Sequence, residues 1–333
     1  MSYTNGLDNP ELYFQCKLYT GNGSSRSITF DGSENMSPNL LWLKSRDNTE
    51  WHALHDSVRG ATKVLFANDD RDELTTSTHV TSFDSNGFSH GSGTNTNNSG
   101  IKMVCWAWKE SATAVFDIVT YTGSGSAQNI SHSLSAVPEF FPTKRRSGTN
   151  QWRTYHVGAS DSATDYANFD TTDAFSDSAT IFNDTMPTSS VFTVSTDSGI
   201  NGSSETYVTY LWRSVQGFSK FGTYTGNGNT DGPFVYTGFR PAFLIIKKSS
   251  ASGSSWMIFD TKRNPTNDGA TLRLPVGGTD SESTDHILDN SLSNGFKIRD
   301  SDATLNTSGA TFVYIAFAEA PFVNSNGVPC NAR

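Results

Sequence analysis

The chain has 333 residues and is acidic, with 33 acidic against 24 basic side chains and a net charge of −9. Its basic residues form no block or stripe, so we expect no nucleic-acid partner. The longest apolar runs span only about six residues and the start is polar, which predicts no membrane insertion and no signal peptide. The three cysteines (Cys16, Cys105 and Cys330) fit neither a zinc site nor a disulfide framework, and they favour synthesis in a reducing cytosol.

A motif of the form Tyr-Thr-Gly-x-Gly occurs three times, beginning at Tyr19, Tyr121 and Tyr224, so the copies start 102 and 103 residues apart. Each is followed by a proline-led apolar run that ends in lysine, then by a tryptophan, and finally by an alternating aromatic run. The runs are Pro38–Lys44, Pro138–Lys144 and Pro241–Lys247; the tryptophans aligned with one another are Trp51, Trp152 and Trp256. The repeat predicts three tandem modules, with boundaries 1–112, 113–216 and 217–333.

Short aromatic and β-branched segments bounded by Gly, Ser, Asn and Asp predict strands along the whole chain, as at Asn39–Asp47, Thr206–Ser214 and Ala242–Ser249. Neither face of Val104–Trp108 is charged, which predicts a central strand covered on both sides. Helical periodicity is absent and Asn-Gly turns are frequent. We therefore predict an all-β fold of three antiparallel β-sandwich or jelly-roll-like modules with very little helix, with a propeller as the alternative.

The segments between modules, 110–116 and 214–221, are short and apolar, so the modules are expected to touch. The low-complexity piece Gly91–Gly100 and its counterparts predict a recurring surface loop. The tail from Pro321 to Arg333, with Cys330, lies outside the repeat and is either a docking element or a disordered tail.

Few residue patterns suggest chemistry. His52, His55 and Asp56 lie within five residues, yet two histidines three apart on a strand face opposite ways, which favours an ordinary half-buried strand over a metal site. The acidic groups at 69–73 and 280–286 lack a calcium-loop spacing and favour solvated loops, with a structural cation as the alternative. The Tyr-Thr-Gly-x-Gly glycines favour turns over a phosphate loop. We expect no catalytic residue, no metal and no cofactor, and no ligand-binding residue is assigned.

Aromatic residues in the second module could stack on sugar rings or pack in a core, and the sequence favours packing or protein contact. The candidates are Tyr155, Tyr166, Phe169 and Phe182.

The stretch from Tyr19 to Ala61, continued by Thr81–Ser89 and Val104–Glu110, resembles a repeat module common in structural proteins of marine tailed bacteriophages. The likeness rests on the opening YTGNGS, on Pro-x-x-x-Trp-x-Lys-x-Arg, and on Trp-His-x-Leu-x-Asp-x-Val-Arg-Gly. It is weaker in the other modules, and the second module has Pro142 where the first has Trp42. The resemblance implies a virion component and no particular reaction, and it carries over no catalytic residue. We expect the protein not to be an enzyme.

We therefore expect a tail fibre or tail-associated adhesin, made in the bacterial cytoplasm and displaying three β modules to the host surface. A capsid decoration or head-fibre protein is the alternative, and a tailspike-like glycan depolymerase is less favoured because it needs two carboxylates facing each other in a groove. Expected partners are other virion proteins and a host cell-surface glycan or protein. Three modules could form a pseudo-threefold monomer, or the chain could form a homotrimer.

Overall fold

The computed structural model describes residues 7–158, 165–267 and 269–331, without the side chains of residues 290 and 291. The structure is 44% strand and 6% helix, and every described strand pair is antiparallel. The predicted all-β class with very little helix is confirmed.

Three successive parts of the chain contain similar series of strands, which we call the first, second and third copies. The first copy follows a 3-10 turn at Pro10–Leu12 and comprises β1 (Phe14–Thr20), β2 (Arg26–Thr29), β3 (Leu40–Ser45), β4 (Ala53–Asp56), β5 (Lys63–Phe66), β6 (Leu74–Thr75), β7 (Val80–Asp84), β8 (Gly87–His90), α1 (Thr94–Asn97) and β9 (Lys102–Trp108). The second comprises β10 (Phe116–Thr122), β11 (Gln128–Ser131), β12 (Phe140–Arg145), β13 (Arg153–His156), β14 (Asp165–Asn168), β15 (Ser176–Asp177), α2 (Ala179–Phe182), β16 (Val191–Val194), α3 (Ser198–Asn201) and β17 (Thr206–Trp212). The third comprises β18 (Ser219–Thr225), β19 (Phe234–Tyr236), β20 (Phe239–Lys248), β21 (Met257–Asp260), β22 (Ala270–Pro275), β23 (Ser283–Leu292), β24 (Gly295–Ile298), α4 (Ala303–Asn306) and β25 (Thr311–Pro321).

Each copy has a large sheet with the same strand order. The orders are β1-β9-β3-β4-β5-β6, β10-β17-β12-β13-β14-β15 and β18-β25-β20-β21-β22, the last continuing through β23 and β24 to β19. The closing strand of each copy therefore lies between its opening strand and the proline-led strand. Because β9 is central and six of its seven residues are buried, the prediction for Val104–Trp108 is confirmed.

One face of each large sheet packs against smaller strands of the same copy, which gives a sandwich-like arrangement. In the first copy, Leu41 and Cys105 of the large sheet share a core with Ile28 and Phe88 of β2 and β8. Separate cores of this kind occur in the second and third copies. Alternation along the strands dictates this division, since successive side chains point to opposite faces.

The opposite faces of all three large sheets meet in one central core. Trp108, Trp212 and Phe317 occupy equivalent positions, and their ring centroids lie 6.0, 5.6 and 6.4 Å apart pairwise. Residues of all three copies also line an apolar cavity of about 30 Å³ there. The three rings thus occupy equivalent positions around the centre of this core. The boundaries after residues 112 and 216 stay predictions, because the copies share this core.

The Tyr-Thr-Gly-x-Gly motif is held by a buried asparagine. In the first copy, Asn97 Oδ1 accepts from Asn22 N at 2.9 Å, and Asn97 Nδ2 donates to the carbonyls of Ser24 and Gly91 at 2.7 and 2.8 Å. A Cβ at Gly21 would lie 2.0 Å from the Asn98 carbonyl oxygen, so only glycine fits there.

The same clamp recurs in the other copies through Asn201 and Asn306, both fully buried. The second glycine of each motif has positive φ, between 68° and 73°. The turn interpretation of these glycines is therefore confirmed. The predicted surface loop of residues 91–100 differs from expectation, because it contains the helical turn α1 that delivers Asn97 into the interior.

The segments between copies are tight turns. Ser111 and Phe116 exchange backbone hydrogen bonds in the first, and Val215 and Ser219 do so in the second. The described part of the tail packs on the protein: Arg240 Nη1 donates to the Asn331 carbonyl at 2.5 Å, and Ser325 N donates to Asp8 Oδ1 at 2.8 Å. The disordered-tail alternative is therefore not supported up to residue 331, and the two ends of the described chain meet.

Candidate functional site

At one repeated position, an indole or imidazole nitrogen of each copy forms a hydrogen bond with a neighbouring copy. The residues directly before β4, β13 and β21 are His52, Trp152 and Trp256, all fully buried. Their bonds run to backbone carbonyls at equivalent strand positions: Trp152 Nε1 to Phe66 at 2.8 Å, Trp256 Nε1 to Asn168 at 3.1 Å, and His52 Nε2 to Pro275 at 3.0 Å. They connect the second copy to the first, the third to the second, and the first to the third. The chain is thereby closed into a ring.

The sequence alignment of Trp51 with Trp152 and Trp256 is wrong by one residue. Strand pairing places Asp56 opposite Leu40 and His156 opposite Phe140, so His52 is the equivalent of Trp152. His52 Nδ1 accepts from Trp42 Nε1 at 3.0 Å, which leaves the proton on Nε2 for the Pro275 carbonyl. Burial holds the His52 pKa well below its usual value, so the ring stays neutral.

The other histidine of this segment has a separate environment. His55 is fully buried, its Nδ1 lies 2.8 Å from the Ala61 carbonyl, and its ring packs edge-on against His79. Burial lowers the pKa of His55 to about 3. Among the residues that the structure describes, no three His, Cys, Asp or Glu side chains are grouped to hold a metal ion. The segment is a strand, as predicted, but it is fully buried.

Asp56 belongs to a charged network at the first junction, between the first and second copies. Asp56 and Arg59 form an ion pair with no exposed side-chain surface, and Tyr210 of the second copy donates to Asp56 Oδ2 at 2.7 Å. Arg59 also bonds Glu73 at 3.1 Å, and Glu73 in turn accepts from Arg146 Nε of the second copy at 2.9 Å. Each buried charge therefore has an opposite charge beside it.

The third junction, between the third and first copies, repeats this network. Asp260 pairs with Arg263, and Trp106 of the first copy donates to Asp260 Oδ2 at 3.0 Å. Glu282 accepts from Arg46 at 2.8 and 2.9 Å. The two junctions thus use equivalent residues in equivalent roles.

At the second junction, between the second and third copies, neutral residues replace the charged ones. His156 stands where the other copies have Asp56 and Asp260, Phe175 where they have Glu73 and Glu282, and Ser249 where they have Arg46 and Arg146. His156 Nε2 donates to the Tyr314 carbonyl at 3.1 Å, because Nδ1 accepts from Gly158 N. The second junction therefore differs chemically from the first and third.

Four acidic side chains of the two clusters are paired with arginines of the same chain. Besides Glu73 and Glu282, Asp69 lies 2.7 Å from Arg71, Asp285 pairs with Arg273, and His286 lies 3.0 Å from Asp300. The structural-cation alternative for 69–73 and 280–286 is not supported by this arrangement. The prediction of simply solvated loops is also incomplete, since Glu73 and Glu282 tie copies together.

The lysine that ends each proline-led run is fully buried and bridges two copies. Each ammonium donates to one carbonyl of its own copy and to one of a neighbour. The pairs are Lys44 with Asn48 (3.2 Å) and Thr279 (3.0 Å), Lys144 with Arg145 (2.8 Å) and Asp70 (3.1 Å), and Lys247 with Ser254 (2.6 Å) and Thr172 (3.2 Å). Burial lowers the pKa of each to about 8. These lysines are visible in all three repeats of the sequence, but their role as bridges follows only from the contacts between neighbouring copies.

These lysines predict a rise in stability with pH. Below pH 8 they are charged in both the folded and unfolded states, so burial of charge opposes folding in full. Between pH 8 and about 10.5 the folded lysines lose protons first, and the free energy of unfolding rises. We expect the free-energy difference between wild type and Lys144→Met to change in that direction in urea titrations from pH 7.5 to 10. Lys102→Met, whose side chain is 61% exposed, is the surface control for the same titrations.

Three of the four aromatic candidates for sugar stacking are core residues. Tyr155, Phe169 and Phe182 are each no more than 3% exposed. Phe169 packs in the central core, while Tyr155 and Phe182 pack in the core of the second copy. Tyr166 is half-buried beneath Arg153. The packing interpretation is confirmed for the three buried residues.

Each junction has a pocket near the end of a closing strand. The first is lined by Asn39, Glu110, Ser111, Ala112, Phe116, Ser133 and Leu134, with a volume of about 320 Å³. The second is lined by Glu139, Ser214, Gln216, Ser219, Lys220, Phe221, Tyr236, Thr237, Gly238, Phe322 and Val323, with about 490 Å³. The third is lined by Glu11, Phe14, Gln15, Cys16, Asp31, Gly32, Ala242, Thr261, Lys262, Pro265, Ala318 and Glu319, with about 220 Å³. The second pocket has the volume of a small-molecule site.

A carboxyl pair lies at the first pocket. Burial, with a hydrogen bond that protonated Glu110 donates to the neighbouring Asp117 carboxylate, raises the pKa of Glu110 to about 7. Asp117 also accepts from Ser133 N at 2.5 Å. Two carboxyl groups in direct hydrogen-bond contact lie closer than the roughly 5 to 10 Å that glycoside hydrolysis requires. This pair therefore lacks the depolymerase geometry.

No helix in the described ranges is long and apolar enough to cross a membrane. A comparison with protein families matches residues 9–321 to a domain of unknown function (DUF7483). This single match runs through all three copies. A comparison with curated proteins finds no match.

Proposed function

The chain belongs to the DUF7483 family, and on that premise we propose that it is a bacteriophage virion structural protein, a tail fibre component or tail-associated adhesin. The observation that carries this proposal is the closed ring, in which one chain reproduces the symmetry of a trimer. A threefold body can sit on a symmetric virion site while remaining one polypeptide. The resemblance of the repeat to phage structural modules supports the same assignment.

The unequal junctions support a role in recognition. A homotrimer would present three identical junction pockets, whereas this chain presents pockets of about 320, 490 and 220 Å³ with different side chains. Charged bridges at the first and third junctions, and buried lysine bridges at all three, hold these pockets on a rigid frame. In the proposed role, the end of the ring that carries the pockets contacts the host surface.

Capsid decoration is the second candidate function, because a pseudo-threefold axis also fits a threefold position on a capsid. Cryo-electron microscopy of intact virions distinguishes the two by position and copy number. Density at the tail in a small symmetric number of copies is the expected result. Density distributed over the head in tens to hundreds of copies would assign a decoration protein and overturn the adhesin proposal.

A further inference from the structure

We propose that the second junction pocket, together with the exposed aromatic residues Phe234 and Tyr236 of β19, is a carbohydrate-binding site. This inference deepens the proposed function and rests on it only for the biological source of the glycan.

The first observation is a comparison of one strand among the three copies. Ile28, Ile130 and Val235 are equivalent, because they pair with Phe88, Phe192 and Phe296. The residues on either side of them face outward. They are Ser27 and Thr29 in the first copy, Asn129 and Ser131 in the second, and Phe234 and Tyr236 in the third. Only the third copy carries aromatic side chains at these positions.

Both aromatic side chains are open to solvent. Phe234 is 47% exposed and Tyr236 is 53% exposed, while Val235 between them is buried. Residues two apart on a strand share a face and lie about 7 Å from each other, so the two rings form a short strip. The first two copies fold with small polar residues here, so the fold does not require the rings. Exposed apolar strips of this kind mark contact surfaces.

The second observation is the concave polar surface beside the strip. Tyr236 lines the second pocket, and Lys220 is fixed there because its Nζ donates to the Tyr236 carbonyl at 2.8 Å and lies 5.3 Å from the ring centroid. Glu139 Oε2 accepts from Ser214 N at 2.9 Å, whereas Glu139 Oε1 has no protein partner among the described residues. Gln216 lies exposed at the same pocket. A carboxylate, an amide and an ammonium thus line the same pocket as one exposed aromatic ring.

This combination suits a sugar better than a protein side chain. A pyranose presents a C–H face that packs on an aromatic ring, and hydroxyl groups that donate to a carboxylate and accept from an amide or ammonium. The pocket volume of about 490 Å³ holds one or two sugar rings. The strip beyond it extends the contact to a longer chain.

The aromatic residues that line the two equivalent pockets, Phe14 and Phe116, are buried, and several polar groups there are already bonded. At the third junction, Gln15 Oε1 accepts from Gly32 N at 3.2 Å and Gln15 Nε2 donates to the Glu11 and Glu34 carbonyls at 2.9 Å. Asp31 is paired there with Lys17 and Lys262. At the first junction, Glu110 is bonded to Asp117. The second pocket alone, among those at the three junctions, combines an exposed ring with an unpaired acceptor.

The test uses the full chain on an array of purified bacterial O-polysaccharides and capsular polysaccharides, with titration calorimetry for those that bind. Wild type is expected to bind at least one of them, and Tyr236→Ala and Glu139→Gln are each expected to weaken that binding by about tenfold or more. Thr29→Ala and Ser131→Ala, at the equivalent positions of the other copies, should bind as wild type does. Unchanged thermal unfolding of Tyr236→Ala confirms that the loss is local.

Binding to none of the polysaccharides overturns the inference, and so does binding that Tyr236→Ala and Glu139→Gln leave unchanged. A parallel assay of the labelled chain on host cells separates this from the proposed function. Cell binding without polysaccharide binding retains the adhesin and overturns the sugar site. Cell binding that protease treatment of the cells abolishes identifies a protein receptor and also overturns it.

Discussion

Replacement of Asp56 by alanine is expected to lower the free energy of unfolding by about 3–5 kcal/mol. The reason is the burial of Arg59, whose guanidinium would lose its closest anion at a site with no exposed side-chain surface. Tyr210, which donates to Asp56 from the second copy, would lose its acceptor at the same time. Denaturation in urea at pH 7 measures the change.

The matched control is Asp31→Ala. Asp31 pairs with Lys17 and Lys262 at the surface and is 55% exposed, so its loss should change the free energy of unfolding by less than about 1 kcal/mol. The double variant Asp56→Ala/Arg59→Met should be more stable than Asp56→Ala alone, because it removes the buried guanidinium that has lost its closest anion. A loss below about 1 kcal/mol for Asp56→Ala would contradict the buried network.

Trp152→Ala is expected to destabilise the protein by about 3–5 kcal/mol. Its indole is fully buried at the first junction and donates to the Phe66 carbonyl of the first copy, so truncation opens a cavity and removes a link of the ring. Trp152→Phe keeps most of the apolar contact but leaves that carbonyl without its donor, which costs about 1–3 kcal/mol. Chemical denaturation of the two variants measures both effects.

Trp51→Ala serves as the comparison. The sequence alignment treats Trp51 as the counterpart of Trp152, whereas the strand register places it one residue away, half-buried and 3.5 Å from the Arg71 guanidinium. We expect its loss to cost less than half of that for Trp152→Ala. Equal losses would show that the register assigned to β4 is wrong.

The parts of the fold that depend on local pattern could be predicted from the sequence. The central strand at Val104–Trp108 followed from its alternation, and the turn glycines followed from their spacing. The equivalence of His52 with Trp152 could not be predicted, because a shift of one residue moves a strand side chain to the other face while leaving the composition unchanged. The tryptophans were aligned by residue type, whereas the register of β4 follows only from its strand pairing.

The candidate site was harder to predict from the sequence, because its residues come from distant segments of the chain. The bridge from Lys44 to Thr279 spans 235 residues, and no local pattern encodes such a contact. The sequence around Tyr155 and Phe182 has no regular apolar period, so the burial of these two side chains could not be predicted from it. The signal for Tyr236 was present in the repeat itself, since an aligned comparison of Thr29, Ser131 and Tyr236 shows one copy departing from the others.

Differential scanning calorimetry of the full chain tests the central claim, that three copies form one closed body around a shared core. A single transition is expected, with calorimetric and van't Hoff enthalpies that agree and a total of about 230 kcal/mol near 60 °C for a chain of this length. Separate transitions, or a calorimetric enthalpy about three times the van't Hoff value, would show three independently folding modules and contradict the ring.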